Sequence, residues 1–121
     1  MKKLRIAVPT RAHEGLDDVV SEVFGKAKTF TIVDVEDGKV MNVQVIDNPA
    51  ASYDYGSGPI ASKTLVDLKV DFVVAGELGP GASGLLEQHK IKRLPAKAGM
   101  KVGESVEEAL TELGRSRVKN A

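Results

Sequence analysis

Thr29-Phe30-Thr31-Ile32-Val33-Asp34-Val35 and Val40-Met41-Asn42-Val43-Gln44-Val45-Ile46 are two β-rich runs, separated by Glu36-Asp37-Gly38-Lys39. The Asp-Gly pair between such runs is a strong short-range hairpin signal. In the second run Met41, Val43 and Val45 share one face, while Asn42 and Gln44 share the other. That alternation predicts a strand with one face buried, at the edge of a sheet.

Working outward toward the N-terminus, Leu4-Arg5-Ile6-Ala7-Val8 is a short apolar run that Pro9 should end, since proline removes a ladder donor. A loop is expected from Thr10 to about Gly15. Leu16, Val19, Val20, Val23 and Phe24 then recur at helical spacing, which predicts a short helix ending at Gly25.

In the other direction, Asn48 to Gly58 is polar and turn-rich. Pro59 suits a first helical position, and Ile60, Ala61, Thr64, Leu65 and Leu68 form a helical stripe. Asp71-Phe72-Val73-Val74-Ala75 reads as an internal parallel strand covered on both faces. A Gly76 to Gly81 loop leads to a helix over Ala82 to His89, then a strand over Ile91 to Leu94. After a Lys97 to Gly103 loop, Ser105 with Glu108 makes a capping box for a last helix. Val106, Ala109, Leu110 and Leu113 form its buried face, and Gly114 should stop it. Residues 115–121, opening Arg115-Ser116-Arg117-Val118-Lys119, are expected as a frayed basic tail on a domain of residues 1–114. The element order predicts a single α/β domain, and right-handed crossovers favour a five-stranded mixed sheet in the order 3-2-1-4-5, ribonuclease H-like and flanked by helices. Ligands of such sheets gather beyond the carboxyl ends of the parallel strands, where the loops after Val8 and Ala75 converge.

Composition narrows the chemistry. The 121 residues carry 17 basic and 17 acidic side chains, spread evenly over both halves, so no basic field for nucleic acid exists at whole-chain scale. Apolar runs fall far short of the roughly 20 residues of a membrane span. Lys2 and Lys3 precede a strand-like stretch rather than a signal-peptide core, so a cytoplasmic location is expected. Zero cysteines exclude disulfides, thiolate metal sites and thiol nucleophiles together. Nuclease chemistry would want a carboxylate on the first strand, and Leu4 to Val8 has none. No nucleophile, base and oxyanion site can be assembled from the remaining motifs.

Gly79-Pro80-Gly81-Ala82-Ser83-Gly84 matches GxGxxG between a predicted strand and a helix, where backbone N–H groups attract anions. Gly76-Glu77-Leu78 intervene after the strand, Pro80 removes a donor, and no ribose-binding acid follows the next strand, all of which weigh against a dinucleotide. An anion- or cluster-contacting loop and a plain turn both remain open. Gly56-Ser57-Gly58-Pro59 offers similar donors, or simply a capped helix start. His13 and His89 have no second ligand at metal spacing, and of the two His13 is the weak metal candidate, because its loop follows the first strand.

The ordered set Ile6-Ala7-Val8-Pro9-Thr10, Leu16-Asp17-Asp18 with Val20-Ser21, Phe24-Gly25-Lys26-Ala27 and Ile32-Val33-Asp34 resembles the NifX/NifB-C-terminal family of dinitrogenase iron–molybdenum cofactor biosynthesis proteins. Asn48-Pro49-Ala50, Gly56-Ser57-Gly58-Pro59 with Ala61, Val70 to Gly76, Gly79-Pro80 with Ala82, and Ser105 to Leu110 continue the pattern, so the likeness runs from about Arg5 to Leu113. The resemblance implies a non-enzymatic carrier or scaffold that weakly holds an iron–sulfur or iron–molybdenum–sulfur cluster, with cofactor-assembly proteins as partners. Many members look like Ser-x-His-Phe-Gly where this chain has Ser21-Glu22-Val23-Phe24-Gly25, and Val23 cannot coordinate metal. Lys90 stands where a glycine commonly precedes the fifth strand. On this reading Thr10, Arg11 and His13 supply side-chain contacts to the cluster. Gly76, Gly79, Gly81 and Ala82 supply backbone approach, with Gly56 and Gly58 adjoining. Two other readings use the same residues without metal: an anion- or nucleotide-binding regulatory module, and a protein-interaction module adding strands at Val40 to Ile46.

Overall fold

Five successive residues, Ile6 to Thr10, are buried in β1 (Lys3–Thr10), as a strand flanked on both sides and covered on both faces requires. The structure, a computed structural model, describes residues 3–119. β1 pairs antiparallel with β2 (Thr29–Glu36), which pairs antiparallel with β3 (Lys39–Asp47). On its other side β1 runs parallel to β4 (Phe72–Ala75), and β4 to β5 (Lys92–Pro95). The sheet order is β3-β2-β1-β4-β5, as the sequence predicts. Asp37 and Gly38, with φ of 52° and 81°, make the two-residue turn of the hairpin, and both positive φ values match a type I′ turn.

Helices α1 (Ser57–Asp67) and α2 (Pro80–Gln88) cover one face, where Leu65 and Leu86 pack with Phe30, Ile32 and Val73. α3 (Val102–Lys119) covers the other through Val102, Val106 and Ala109, against Ile6, Val8, Val33 and Val74. Each fully buried leucine contributes roughly 1.5–3 kcal/mol to this packing. At the amino end of β1, Arg5 Nε donates to Asp34 Oδ1 at 2.8 Å and Nη1 to the Leu68 carbonyl at 2.8 Å, tying β1, β2 and the end of α1 together. The hydrogen bond that Arg5 donates to Asp34 raises the arginine's pKa; partial burial opposes this, and the charges of Asp34 and Asp71 reinforce it. Among the described residues no helix is long and apolar enough to cross a membrane.

Four expectations are corrected. β1 does not stop at Pro9 but continues to Thr10, because the odd-numbered β1 residues turn their backbone groups toward β4, as Arg5 shows by accepting the Asp71 N–H at its carbonyl while its own N–H donates to the Asp71 carboxylate, and β4 pairs only with Ile6 and Ala7. The missing N–H of Pro9 therefore falls beyond the last β4 partner, and the Pro9 carbonyl accepts from Ser21 instead.

The helix expected over 16–25 is absent apart from a 3-10 turn at Gly15–Asp17. Its apolar residues divide between two cores: Leu16 and Val20 pack under α3, Phe24 packs under α1 and α2, and Val23 is 56% exposed. The segment thus wraps around the end of the sheet. Its backbone bonds go outside itself, Val20 N–H to Met100, and Gly99 N–H to Val20. The buried Asp18 carboxylate holds the turn, accepting from the backbone N–H of Ala12 at 3.0 Å and Val19 at 2.7 Å.

α3 starts at Val102, whose N–H donates to the Asp18 carbonyl at 2.9 Å, so Ser105 lies inside the helix and not at its cap. The Ser105 hydroxyl donates back to the Val102 carbonyl. Nor does Gly114 stop α3, which runs to Lys119: Gly114 does not take the left-handed conformation that ends a helix, and the backbone of the expected tail is helical that far.

Both α1 and α2 end in Schellman motifs with a lysine in the left-handed seat, Lys69 (φ 58°) and Lys90 (φ 62°). Val70 N–H reaches Leu65 and Lys69 N–H reaches Val66; Ile91 N–H reaches Leu86 and Lys90 N–H reaches Glu87. A β-branched or long side chain there costs about 1–2 kcal/mol of backbone strain. Lys90→Gly and Lys69→Gly should each raise stability by about 1 kcal/mol in urea unfolding. Asp18→Ala, which orphans N–H groups of the wrapping loop, should lower it by about 1–3 kcal/mol in the same measurement.

Candidate functional site

The register puts the carboxyl ends of β1, β3, β4 and β5 and the start of β2 at one end of the sheet, with Thr10 opposite Thr29 and Thr29 opposite Asp47. Every loop that feeds a helix N-terminus lies at this end. The Gly56 N-cap of α1 has φ 75° and the Gly79 N-cap of α2 has φ 82°, and neither helix start carries a side-chain cap. The first intrahelical bonds come from Ile60 and Ser83. That leaves the N–H groups of Ser57, Gly58, Gly81 and Ala82 without intrahelical partners, while Pro59 and Pro80 have none to offer.

The two helix starts touch. A β-carbon at Gly58 would stand 3.5 Å from the Ala82 β-carbon, and one at Gly81 would stand 3.4 Å from Pro59 Cγ. Two of the predicted glycines, Gly58 of α1 and Gly81 of α2, are therefore brought with Ala82 into one wall, and the predicted Gly56 and Gly79 are the N-caps that lead into it, with nothing within 4 Å of their β-carbon positions. Two positive helix ends side by side, neither with a side-chain cap or an acidic residue in its first turn, form a surface suited to a negative charge.

Gly25 completes this wall, and sequence reasoning did not include it. A β-carbon at Gly25 would fall 2.8 Å from both the Gly58 nitrogen and Ser57 Oγ. Asn48, 5% exposed, fixes the approach: its Nδ2 donates to the carbonyls of Gly25 (3.0 Å) and Ala27 (2.9 Å), and its Oδ1 accepts from Ala50 N–H. Lys26 Nζ donates to the Tyr53 carbonyl. The only signals for these roles were the short pieces Phe24-Gly25-Lys26-Ala27 and Asn48-Pro49-Ala50. Around the wall, Val23, Tyr53 and Tyr55 are exposed, Tyr55 at 90%.

The other predicted residues are elsewhere at this end. Thr10 is wholly buried, its hydroxyl 2.6 Å from Thr29 Oγ1 and 3.1 Å from Thr31 Oγ1, so its side chain fastens the sheet and is not offered to a ligand. Thr29 in turn donates to the Ala12 carbonyl. Arg11 pairs with Glu22 and lies near Gly99, on the α3 side. His13 Nε2 lies 2.7 Å from Asp47 Oδ1, a carboxylate partner 34 residues away that sequence spacing could not reveal. Gly76 sits against the Ala96 carbonyl, and Arg93 Nη1 donates to the carbonyls of Ala75 and Gly76 at 3.1 Å each. Among the described residues, no hydrogen bond joins Thr10, Arg11 or His13 to the glycine wall. No cluster of three or more His, Asp or Glu side chains suited to holding a metal ion occurs among them either.

Comparison with known proteins bears on this site. The family pattern described as dinitrogenase iron-molybdenum cofactor matches residues 2–114. The solved apo form of the orange protein from Desulfovibrio gigas is 30% identical, with a TM-score of 0.81 over 89% of this chain and 88% of that one. A candidate NifB protein from Thermotoga is 31% identical, with a TM-score of 0.71 over 90% and 88%. An uncharacterised protein of Methanocaldococcus jannaschii is 26% identical over 88 residues, 73% of this chain and 70% of its own length.

The Gly25 contact predicts that Gly25→Ala drives a methyl group into the α1 start, lowering stability by about 1–3 kcal/mol. Urea unfolding would measure the loss. Gly84→Ala, where nothing lies within 4 Å, should leave stability the same or slightly higher.

Proposed function

We propose, from the premise that the chain belongs to the dinitrogenase iron–molybdenum cofactor family, that it is a small carrier which holds a preassembled, anionic metal–sulfur cluster as cargo. The observation that supports this is the contact between the two glycine-lined helix starts, Gly56 to Pro59 and Gly79 to Ala82. The cargo would be gripped through outer sulfur atoms by the N–H groups of Ser57, Gly58, Gly81 and Ala82. The donor set fits such cargo and not a ligated metal ion, because the chain has no cysteine and the described residues include no group of three or more His, Asp or Glu side chains suited to a metal. Gly25 holds the wall's third side. Arg93 positions the Gly76 turn through the two carbonyls it binds.

Carriage without catalysis suits this arrangement, since what the wall offers a bound group is backbone donors for a charge. The sheet order supports the ribonuclease H-like assignment, and a cytoplasmic location is kept as part of the proposal. Arg11, paired with Glu22 at the same end, is assigned to attracting the cargo and not to contacting it.

The test is anaerobic titration with an isolated iron–molybdenum–sulfur cluster, then desalting, metal analysis and a visible spectrum. Wild type should retain metal. Gly58→Asp places a carboxylate at the α1 start, which favours the helix but repels an anion. Retention should fall at least about tenfold, equivalent to about 1.4 kcal/mol, while the unfolding midpoint holds. Val23→His, at an exposed position two residues from Gly25, should raise retention by supplying an imidazole. Metal retained equally by wild type and Gly58→Asp would overturn the assignment of the wall.

A further inference from the structure

The two edges of the sheet are treated differently. β5 is four residues long and carries Lys92, Arg93 and Pro95, all of which discourage another strand from pairing. β3 is nine residues long, and from Val40 to Ile46 it has no charge and no proline. One interruption occurs, a bulge near Met41 where the register shifts between Asp34 and Val35. From Asn42 to Asp47 the strand is regular.

The direction of its free groups follows from the ladder. Asn48 N–H donates to the Lys28 carbonyl, so even-numbered residues of the regular stretch turn their backbone groups inward to β2. Val43, Val45 and Asp47 therefore turn theirs outward, and no strand among the described residues receives them. Side chains alternate too: Ile46 packs under α1, placing Asn42 and Gln44 on that side, and Val43 and Val45 face the α3 side. Gln44 is exposed.

We propose that this edge pairs with the same edge of a second copy, antiparallel and two-fold about Gln44, to make one continuous ten-stranded sheet. In that register Val43 meets the partner's Val45, Asn42 meets the partner's Ile46, and Gln44 meets the partner's Gln44 across the axis. Opposed residues share a face, so the valines stack with valines and the two glutamine amides can donate to each other. The register uses only the regular stretch and leaves the bulge outside it. Charge selects the antiparallel sense: it brings the Lys39 end of one copy to the Asp47 end of the other, whereas a parallel copy would set like ends together. The arrangement closes on itself, because β5 is blunted and each copy has a single receptive edge.

The full-length chain should sediment as a dimer at millimolar concentration. Gln44→Lys and Gln44→Glu each set like charges against each other across the axis, at an exposed position whose replacement leaves the fold intact by circular dichroism and thermal midpoint. Each alone should sediment as a monomer. Mixed in equal amounts they should recover the dimer, the opposite charges now facing each other. A monomeric wild type would overturn the proposal, as would a Gln44→Lys variant that stays dimeric. Folded, monomeric single variants that fail to associate on mixing would overturn the two-fold at Gln44.

Discussion

β1 is where the two halves of the sheet are joined. It is the strand with an antiparallel neighbour on one side and a parallel neighbour on the other, and its residues from Ile6 to Thr10 are buried without a break. A hairpin alone is marginal, and a β-α-β unit alone leaves a face open. β1 lends each the surface it lacks, through Ile6 and Val8 toward α3 and Ala7 toward α1 and α2. At one end Arg5 clamps it to Asp34 and to the last turn of α1. At the other, Thr10 locks hydroxyl to hydroxyl with Thr29 and Thr31, so the loop leaving the strand has a fixed root.

That fixed root divides labour between the ends. The amino end of β1 is held by an ion pair and a carbonyl, groups that serve cohesion. The carboxyl end collects loops, helix starts and glycines, groups that leave backbone donors uncovered. The wrapping segment from Ala12 to Phe24 crosses this second end from the α3 face to the α1 face, and Asp18 pins it by accepting local N–H groups. It delivers Gly25 to the α1 start, where only a residue without a side chain fits.

Much of this was legible in the sequence because the signals were local. Asp37-Gly38 announced the hairpin, the unbroken Phe72 to Ala75 run announced an internal parallel strand, and crossover handedness then fixed the strand order. The segment at 16–25 misled because helical spacing assumes one face, and here Leu16 and Val20 serve one core while Phe24 serves another. Ser105 misled because its capping pattern was complete, yet the Asp18 carbonyl had already received the Val102 N–H one turn earlier. At the site, the glycines were readable as turns, but their joining into one wall depends on α1 meeting α2. Thr10 looked available because nothing in a linear reading places Thr29 and Thr31 on its hydroxyl. His13 with Asp47, and Gly25 with Gly58, are encounters across 34 and 33 residues that only the closed sheet creates.

The glycine wall is built from peptide groups, and this sets the terms on which anything could leave it. Thiolates and imidazoles let go when they are protonated, oxidised or captured by another metal. Amide N–H groups do none of these over the range in which the chain stays folded. Release from such a surface is governed by ionic strength and by competing anions, and its donors have no redox state of their own. A carrier of this kind would discriminate by the shape and charge of its cargo, with no covalent step to undo at delivery.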